Sequence, residues 1–192
     1  MVNMSTQVIY QILISLYFCA IINANIQYQR GPEMIIHPIP PFYNKDSKIL
    51  ILGSFPSVKS RAQMFFYGHA QNRFWEVISS VFECPVPETI EYKKKLLLEN
   101  NIALWDVIAS CEITGSDDSS IRNVKPNDIS LILENADIKQ IFVNGKTAEK
   151  YFNKYIKNQI DRSAVCLPSS SPANALWPFE RLVEEWKVLN RG

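Results

Sequence analysis

The chain has 192 residues, of which 47% are apolar and 20% are charged, a length that suits one ordinary domain and is short for two. This composition excludes a collagen-like chain, a disulfide-rich miniprotein and a wholly disordered chain. Twenty Lys and Arg against nineteen Asp and Glu leave a formal net charge of +1, which excludes a global polycation but not a local basic groove. Four Cys far apart in the sequence and only two His indicate neither a zinc site nor a disulfide framework, so a reducing compartment is expected.

The first 33 residues are predicted to lie outside the folded domain. Residues 1–29 carry no charged side chain, and their apolar run is short for a membrane span and lacks the basic segment of a signal peptide. Met34 begins a segment that continues directly into globular sequence. We therefore expect Met34 to be the true translation start, and residues 1–33 to result from a wrongly assigned start codon. The alternatives are a membrane anchor or leader, and a floppy tail; N-terminal mass spectrometry of the native protein distinguishes them.

Apolar periodicity predicts that strands and helices alternate along residues 34–192. Residues 48–53 form a continuous apolar run, as in a strand buried on both faces. The prediction comprises strands over residues 48–53, 103–107, 140–144 and 164–167, and helices over residues 72–82, 88–100, 126–135, 147–156 and 179–189.

This alternation predicts an α/β fold of three layers, in which helices cover both faces of a mainly parallel sheet. Because sites in such folds lie at the carboxyl ends of the strands, four loops are candidates. They follow Gly53, Val107, Asn144 and Leu167.

The first of these loops, residues 53–60, nearly matches a phosphate-binding loop. Val58 replaces its second glycine, however, and Pro56 removes one backbone N–H that a phosphate would need. An NTPase is therefore disfavoured. The segment is either a tight turn or a backbone wall for another ligand.

The densest group of polar and aromatic side chains lies in residues 65–75. Asn72 is well placed to cap the following helix. Capping leaves unexplained why Tyr67, His69, Gln71 and Arg73 surround it. Aromatic faces beside amide and guanidinium groups suit a flat heterocycle that is stacked and recognised at its edge.

The loop after Leu167 presents three serines between two prolines. It is either a rigid turn or a set of donors to phosphates along a nucleic-acid backbone. A serine hydrolase is disfavoured because the chain has no G-x-S-x-G elbow and only two His.

Asp106 ends a predicted strand beside the same expected cleft. Such an Asp either acts in catalysis or ties down a loop, and we leave both alternatives open.

Three stretches together, G-S-F-P-S-V-K-S-R at 53–61, F-Y-G-H-A-Q-N-R-F-W at 66–75 and L-P-S-S-S-P-A-N at 167–174, resemble the uracil-DNA glycosylase superfamily. The likeness is to its hypoxanthine-DNA (deoxyinosine) glycosylase branch. It implies an α/β/α sandwich over residues 34–192 and a monofunctional glycosylase that excises deaminated bases without a metal or cofactor. The implied partner is double-stranded DNA containing a deaminated base, bound by a monomer without membrane contact, in the cytoplasm at the nucleoid.

The resemblance also implies roles for individual residues. Phe55 stands where the superfamily often has the Asp or Asn that positions water, and Leu167 where uracil enzymes commonly have His. The hypoxanthine branch uses Asn72 as its catalytic residue, and Tyr67 matches the aromatic that stacks on the flipped base. Further expected base contacts are Gly53, Ser54, Phe55 and His69, and the expected DNA contacts are Lys59, Arg61, Ser169, Ser170, Ser171 and Asn174.

A single carboxamide could select deaminated bases as a class. Hypoxanthine presents O6 as an acceptor and N1–H as a donor, whereas adenine presents the reverse pair. With its NH2 toward O6 and its C=O toward N1–H, Asn72 would contribute about 1–3 kcal/mol of discrimination and would match uracil equally well. The alternative role of Asn72 is to orient the attacking water.

Three functional hypotheses follow. The favoured one is a hypoxanthine-type DNA glycosylase, and the second is a uracil or thymine mismatch glycosylase on the same fold. The third is a catalytically inactive DNA- or nucleotide-binding module, which the residues at positions 55 and 167 motivate.

Overall fold

The computed structural model of the protein describes residues 34–190, so the prediction about residues 1–33 lies outside the described residues. The described strands are β1 (Met34–Ile36), β2 (Ile49–Gly53), β3 (Ile102–Asp106), β4 (Ile108–Glu112), β5 (Arg122–Pro126), β6 (Gln140–Asn144) and β7 (Val165–Leu167). The described helices are α1 (Val58–Gln63), α2 (Phe74–Val81), α3 (Ile90–Glu99), α4 (Ser130–Leu133), α5 (Lys146–Tyr155), α6 (Lys157–Ile160) and α7 (Phe179–Trp186), with 3-10 turns at Asp118–Ser120 and Lys187–Asn190.

The central sheet is parallel, with the strand order β3-β2-β6-β7. Its middle is fully apolar because Leu50, Ile51 and Leu52 of β2 have no exposed surface. The register pairs Gly53 with Asp106, so β2 and β3 end side by side. The predicted α/β fold with a mainly parallel sheet is confirmed.

A second, antiparallel sheet of order β1-β4-β5 is missing from the sequence prediction. Only Val107 separates β3 from β4, so the chain continues directly from one sheet into the other. The loop predicted after Val107 is wrong, because β4 begins at Ile108. The helix predicted over 126–135 is wrong over most of that range. Pro126 ends β5, and the helix is reduced to Ser130–Leu133. The residues of β5 are mostly exposed and lack alternation, which removed the sequence signal of a strand.

The helices place aromatic side chains in the core. Phe74 and Trp186 are fully buried and meet edge to face, with ring centroids 5.7 Å apart. The N-cap of α2 is Arg73, which makes no side-chain cap hydrogen bond, so the prediction that Asn72 caps this helix is wrong. Helix α1, which the sequence analysis missed, begins after Ser57, whose Oγ accepts from the Ser60 N–H at 3.1 Å. Between residues 34 and 190, no helix has the length and apolar character to cross a bilayer.

Candidate active site

A cavity of about 730 Å³ lies at the carboxyl ends of the parallel strands. The last residues of β2, β3, β6 and β7 all contribute to its lining. The predicted base contacts Gly53, Ser54, Phe55, Tyr67 and His69, the predicted catalytic Asn72, and the loop residues Ser169, Ser170, Ser171 and Asn174 all line it.

Gly53 allows two polar side chains to approach the sheet at the cavity wall. A Cβ on this residue would overlap Asp106 Oδ1 and would lie 3.3 Å from the Tyr67 hydroxyl oxygen. Because Asp106 is supplied by the neighbouring strand, no larger residue fits at position 53 without displacing its carboxylate.

Asp106 is held by His37, which the sequence analysis did not select as a site residue. The His37 Nε2 atom lies 2.8 Å from Asp106 Oδ2, and the two side chains are only 2% and 6% exposed. The other ring nitrogen, Nδ1, accepts from the Ile39 N–H at 3.1 Å. Since that backbone group can only donate, Nε2 carries the proton and donates it to Asp106. Asp106 Oδ1 accepts no hydrogen bond from any residue between 34 and 190.

The carboxamide of Asn72 has a fixed orientation. Its Oδ1 accepts from the Phe74 N–H at 3.0 Å and from the Ser170 hydroxyl at 2.9 Å. The backbone donor of Phe74 identifies this atom as oxygen, and both of its lone pairs are occupied. The amide therefore offers only its NH2 group, which donates to no described residue. This corrects the prediction that the carbonyl of Asn72 faces the ring N–H of a base.

Ser170 connects Asn72 to the end of β6. Its N–H donates to Asn144 Oδ1 at 2.9 Å, and Asn144 Nδ2 donates back to Ser170 Oγ at 2.9 Å. The hydroxyl proton of Ser170 must then point to Asn72. Ser170 is fully buried, so its prediction as a phosphate contact is wrong and its role is to orient the amide.

Tyr67 is packed on one face and has an unpartnered hydroxyl. Its ring stacks on Phe74 with centroids 3.8 Å apart, so only the opposite face is left for a base. The residue has a left-handed backbone with φ of 52°, a strained conformation that is common at functional sites. Its buried hydroxyl makes no hydrogen bond to a described residue. Burial and the Asp106 carboxylate raise the pKa of the phenol, although the Asn144 amide acts in the opposite direction.

The Ser/Pro loop after β7 is shaped by Arg73, a residue for which the sequence analysis gave no structural role. Its guanidinium donates to the carbonyl oxygens of Trp177 at 2.6 Å, Asn174 at 3.0 Å and Ser171 at 3.3 Å. Gly145 supports the loop from below with φ of 92°, and a Cβ there would lie 2.8 Å from Ser169 Cβ. The loop is therefore a rigid turn that forms one wall of the cavity.

The remaining polar groups of this loop are partly free. Ser169 Oγ accepts from the Ser171 N–H at 3.2 Å, and Ser171 Oγ accepts from the Ala173 N–H at 3.3 Å, so both hydroxyl protons remain available. Asn174 donates to the Ser169 carbonyl at 2.8 Å.

Leu176, which the sequence analysis overlooked, is 92% exposed on the same loop. The sequence feature that could have identified Leu176 as a site residue is an apolar side chain next to Trp177 in a loop flanked by prolines.

The other predicted contacts surround the cavity in different ways. Phe55 is buried, and the Arg61 guanidinium lies 5.6 Å from its ring centroid while donating to the Pro56 carbonyl at 2.7 Å. Lys59 is exposed on α1 and, like Arg61, does not line the cavity. His69 Nδ1 accepts from the Gln71 N–H at 3.2 Å.

Ser54 connects the first loop to the exposed rim of the cavity. Its hydroxyl donates to the carboxylate of Asp118, at 3.0 Å from Oδ2. Desolvation raises the pKa of Asp118, while hydrogen bonds from Ser54 and Thr147 lower it. Across residues 34–190, no three His, Cys, Asp or Glu side chains come together as a set of metal ligands.

Known proteins are similar to this chain in sequence and in fold. The sequence model of the uracil DNA glycosylase superfamily matches residues 40–190. A hypoxanthine DNA glycosylase of Methanosarcina acetivorans is 33% identical over 160 residues, which cover 82% of this chain and 99% of that protein. A protein of the same name from Methanosarcina barkeri is 33% identical over 138 residues, 70% of this chain and 85% of that one.

The fold comparison agrees with the sequence comparison. The solution NMR structure of a candidate uracil DNA glycosylase from Methanosarcina acetivorans superimposes with a TM-score of 0.68 at 31% identity, covering 82% of this chain and all of that one. The matched residues include every residue that lines the cavity. The chain therefore belongs to the uracil-DNA glycosylase superfamily.

Proposed function

We propose that the protein is a DNA glycosylase that removes deaminated bases, hypoxanthine above all, from double-stranded DNA as the first step of base excision repair. The observation that carries the proposal is the fixed amide of Asn72, whose free NH2 group lines a cavity large enough for a purine. Two relatives at 33% identity are named for hypoxanthine and support the same substrate.

The substrate base first leaves the duplex, at a cost of a few kcal/mol that is smaller for a mispair. Inside the cavity the open face of Tyr67 stacks on the base, which contributes about 1–3 kcal/mol. The hydroxyl protons of Ser169 and Ser171 and the exposed Lys59 donate to backbone phosphates.

Leu176 has the position of a wedge for the gap that an extruded base leaves. It is almost fully exposed on a loop held rigidly by Arg73, and apolar side chains of this kind insert between base steps. Because Arg73 already holds the backbone of the loop, the leucine enters the duplex with a smaller loss of conformational entropy.

In the chemical step the bond between C1′ and the base nitrogen breaks, and water adds to C1′. The products are an abasic site and the free base, with one water proton transferred to the base. Because the sugar becomes oxocarbenium-like, negative charge develops on the departing base. The NH2 group of Asn72 donates to O6 and stabilises that charge in a site already organised for it.

The test incubates the full chain with labelled duplexes that contain hypoxanthine, uracil or xanthine and then cleaves abasic sites with alkali. We expect strand scission at hypoxanthine at the highest rate. Uracil is the alternative substrate because its O4 also accepts from Asn72, and faster cleavage there would transfer the proposal to a uracil glycosylase. Lesion binding without any abasic sites would instead identify an inactive DNA-binding module.

A further inference from the structure

We propose that Asp106, held in place by His37, accepts the ring N–H that all deaminated bases share and thereby sets selectivity against adenine and cytosine. The inference rests on the proposed function and names the residue that selects its substrates. Hypoxanthine and xanthine carry this hydrogen on N1, and uracil carries it on N3. Adenine and cytosine have a lone pair at the same positions.

The cavity needs an acceptor that Asn72 cannot supply. The carbonyl oxygen of Asn72 already accepts from Phe74 and Ser170, and the carbonyl oxygen of Asn144 accepts from Ser170. The carboxylate of Asp118 is engaged with Ser54 at the exposed rim. Asp106 Oδ1, by contrast, belongs to a buried side chain of the lining and has no donor within residues 34–190.

His37 determines which oxygen of Asp106 is left for the base. Its Nδ1 accepts from the Ile39 N–H, so its Nε2–H donates to Oδ2 and Oδ1 remains over Gly53. The cavity thus combines one donor from Asn72 and one acceptor from Asp106. Hypoxanthine, xanthine and uracil all present the complementary pair, an oxygen acceptor beside a ring N–H.

A carboxylate discriminates between the two classes of base more strongly than an amide. It accepts a charge-assisted hydrogen bond from a ring N–H, whereas a ring lone pair would face it and leave it buried without a partner. Hydrogen bonds to charged groups are worth enough to predict a binding preference of about 10- to 100-fold for hypoxanthine over adenine at this position.

Asp106→Asn is the direct test, because His37 also determines how the new amide is oriented. The Nε2–H of His37 requires an acceptor, so the asparagine oxygen takes the place of Oδ2 and its NH2 group faces the base. The measurement is fluorescence anisotropy on duplexes whose target nucleotide carries a 2′-fluoro-arabino sugar, which resists cleavage. Wild type should prefer the hypoxanthine duplex to the adenine duplex by about 10- to 100-fold, and the variant should lose that preference.

Asp118→Asn is the matched control. It removes the same charge from the same cavity but no proposed contact to the base, so the preference should change by no more than about twofold. Wild type provides a second measurement that does not depend on the folding of a variant. 6-Methoxypurine keeps an oxygen at position 6 but has a lone pair at N1, and it should bind about 10-fold or more weakly than hypoxanthine.

The outcomes separate this inference from the proposed function. If Asp106→Asn keeps the hypoxanthine preference, or loses cleavage while keeping that preference, Asp106 is not the selecting acceptor. Equal binding of hypoxanthine and 6-methoxypurine by wild type would overturn the inference as well. If wild type prefers deaminated duplexes through Asp106 but never cleaves them, the inference stands and the glycosylase function fails.

Discussion

Asn72 combines a structural and a chemical task in one side chain. Its oxygen holds the first turn of α2 through the Phe74 N–H and joins the Ser/Pro loop through Ser170. Its nitrogen is left for a ligand. Since a freely rotating amide cannot distinguish donors from acceptors in a base, the occupied oxygen is what makes the nitrogen selective.

Asn72→Ala should lower the single-turnover rate on a hypoxanthine duplex by at least about tenfold, and by as much as about 100- to 1,000-fold, as when one donor to a developing anion is removed. It should also cost about 1–3 kcal/mol of stability because the Phe74 N–H and the Ser170 hydroxyl lose their acceptor. Asn72→Asp separates the two effects: it keeps the acceptor for Phe74 and Ser170, so stability should stay closer to wild type while the rate still falls. Cleavage at the wild-type rate by either variant would exclude the catalytic role.

Tyr67→Phe should stabilise the protein and keep lesion binding, because the ring that stacks on the base remains. The phenol oxygen is buried without a partner in the described structure, and an unsatisfied group of this kind costs about 1–3 kcal/mol. Denaturant melts should therefore show a higher free energy of unfolding, while anisotropy shows lesion binding close to that of wild type. A destabilised variant with weakened lesion binding would contradict both expectations.

Tyr67→Ala provides the comparison, because it removes the ring as well as the hydroxyl. Lesion binding should fall more than binding to undamaged duplex, and equal losses would indicate a general folding defect.

The raised pKa of Tyr67 has a consequence for the pH dependence of lesion binding. A raised phenol pKa keeps the hydroxyl protonated through the alkaline range, so wild-type lesion binding should show no loss from Tyr67 ionisation up to about pH 10.

At the scale of elements, the site is formed by the segment before α2 and the Ser/Pro loop after β7, which are joined by hydrogen bonds. Arg73 at the start of α2 donates to three carbonyl oxygens of the Ser/Pro loop, and Ser170 of that loop donates to Asn72. The same contacts explain why α2 begins at Phe74, two residues later than the helix predicted from the sequence. The preceding residues serve the loop instead of the helix.

Leu176→Ala tests the loop as a unit of DNA recognition. Because the side chain is 92% exposed, its loss should change the free energy of unfolding by less than about 0.5 kcal/mol. Affinity for a lesion duplex should fall severalfold, whereas single-stranded DNA with the same lesion should bind nearly as before. Leu131→Ala on α4, also an exposed leucine, is the matched control, and an equal effect there would exclude a wedge at Leu176.

At the scale of the whole molecule, the formal net charge of +1 means that DNA affinity must come from a few local cations and not from the overall field. Lys59 is an exposed candidate on α1, close in sequence to the first cavity loop. Lys139 lies just before β6, at the amino ends of the strands and so at the end of the sheet opposite the cavity. It pairs with Asp137 at 2.7 Å.

Lys59→Ala should reduce the slope of log affinity against log salt by about 1, as expected when one phosphate contact is lost. Lys139→Ala should leave that slope unchanged. The measurement is a salt titration of binding to an undamaged duplex, and identical slopes for wild type and the Lys59 variant would remove Lys59 from the interface.

The sequence by itself determined the parallel sheet, the family and three loops at the carboxyl ends of the strands, which follow Gly53, Asn144 and Leu167. These depend on local apolar runs such as Leu50–Leu52 and on short motifs, which a linear pattern records. It could not indicate the second sheet, because the exposed strand β5 carries no alternation.

Only the tertiary structure decided which atoms face a ligand. The oxygen of Asn72 is occupied by Ser170, 98 residues away, and Asp106 is held by His37, 69 residues away. Hydrogen-bond partners so distant in sequence meet only when the strands and loops assemble, and each partner removes one acceptor from the cavity. The chemistry left for a base therefore depends on contacts that no local pattern contains.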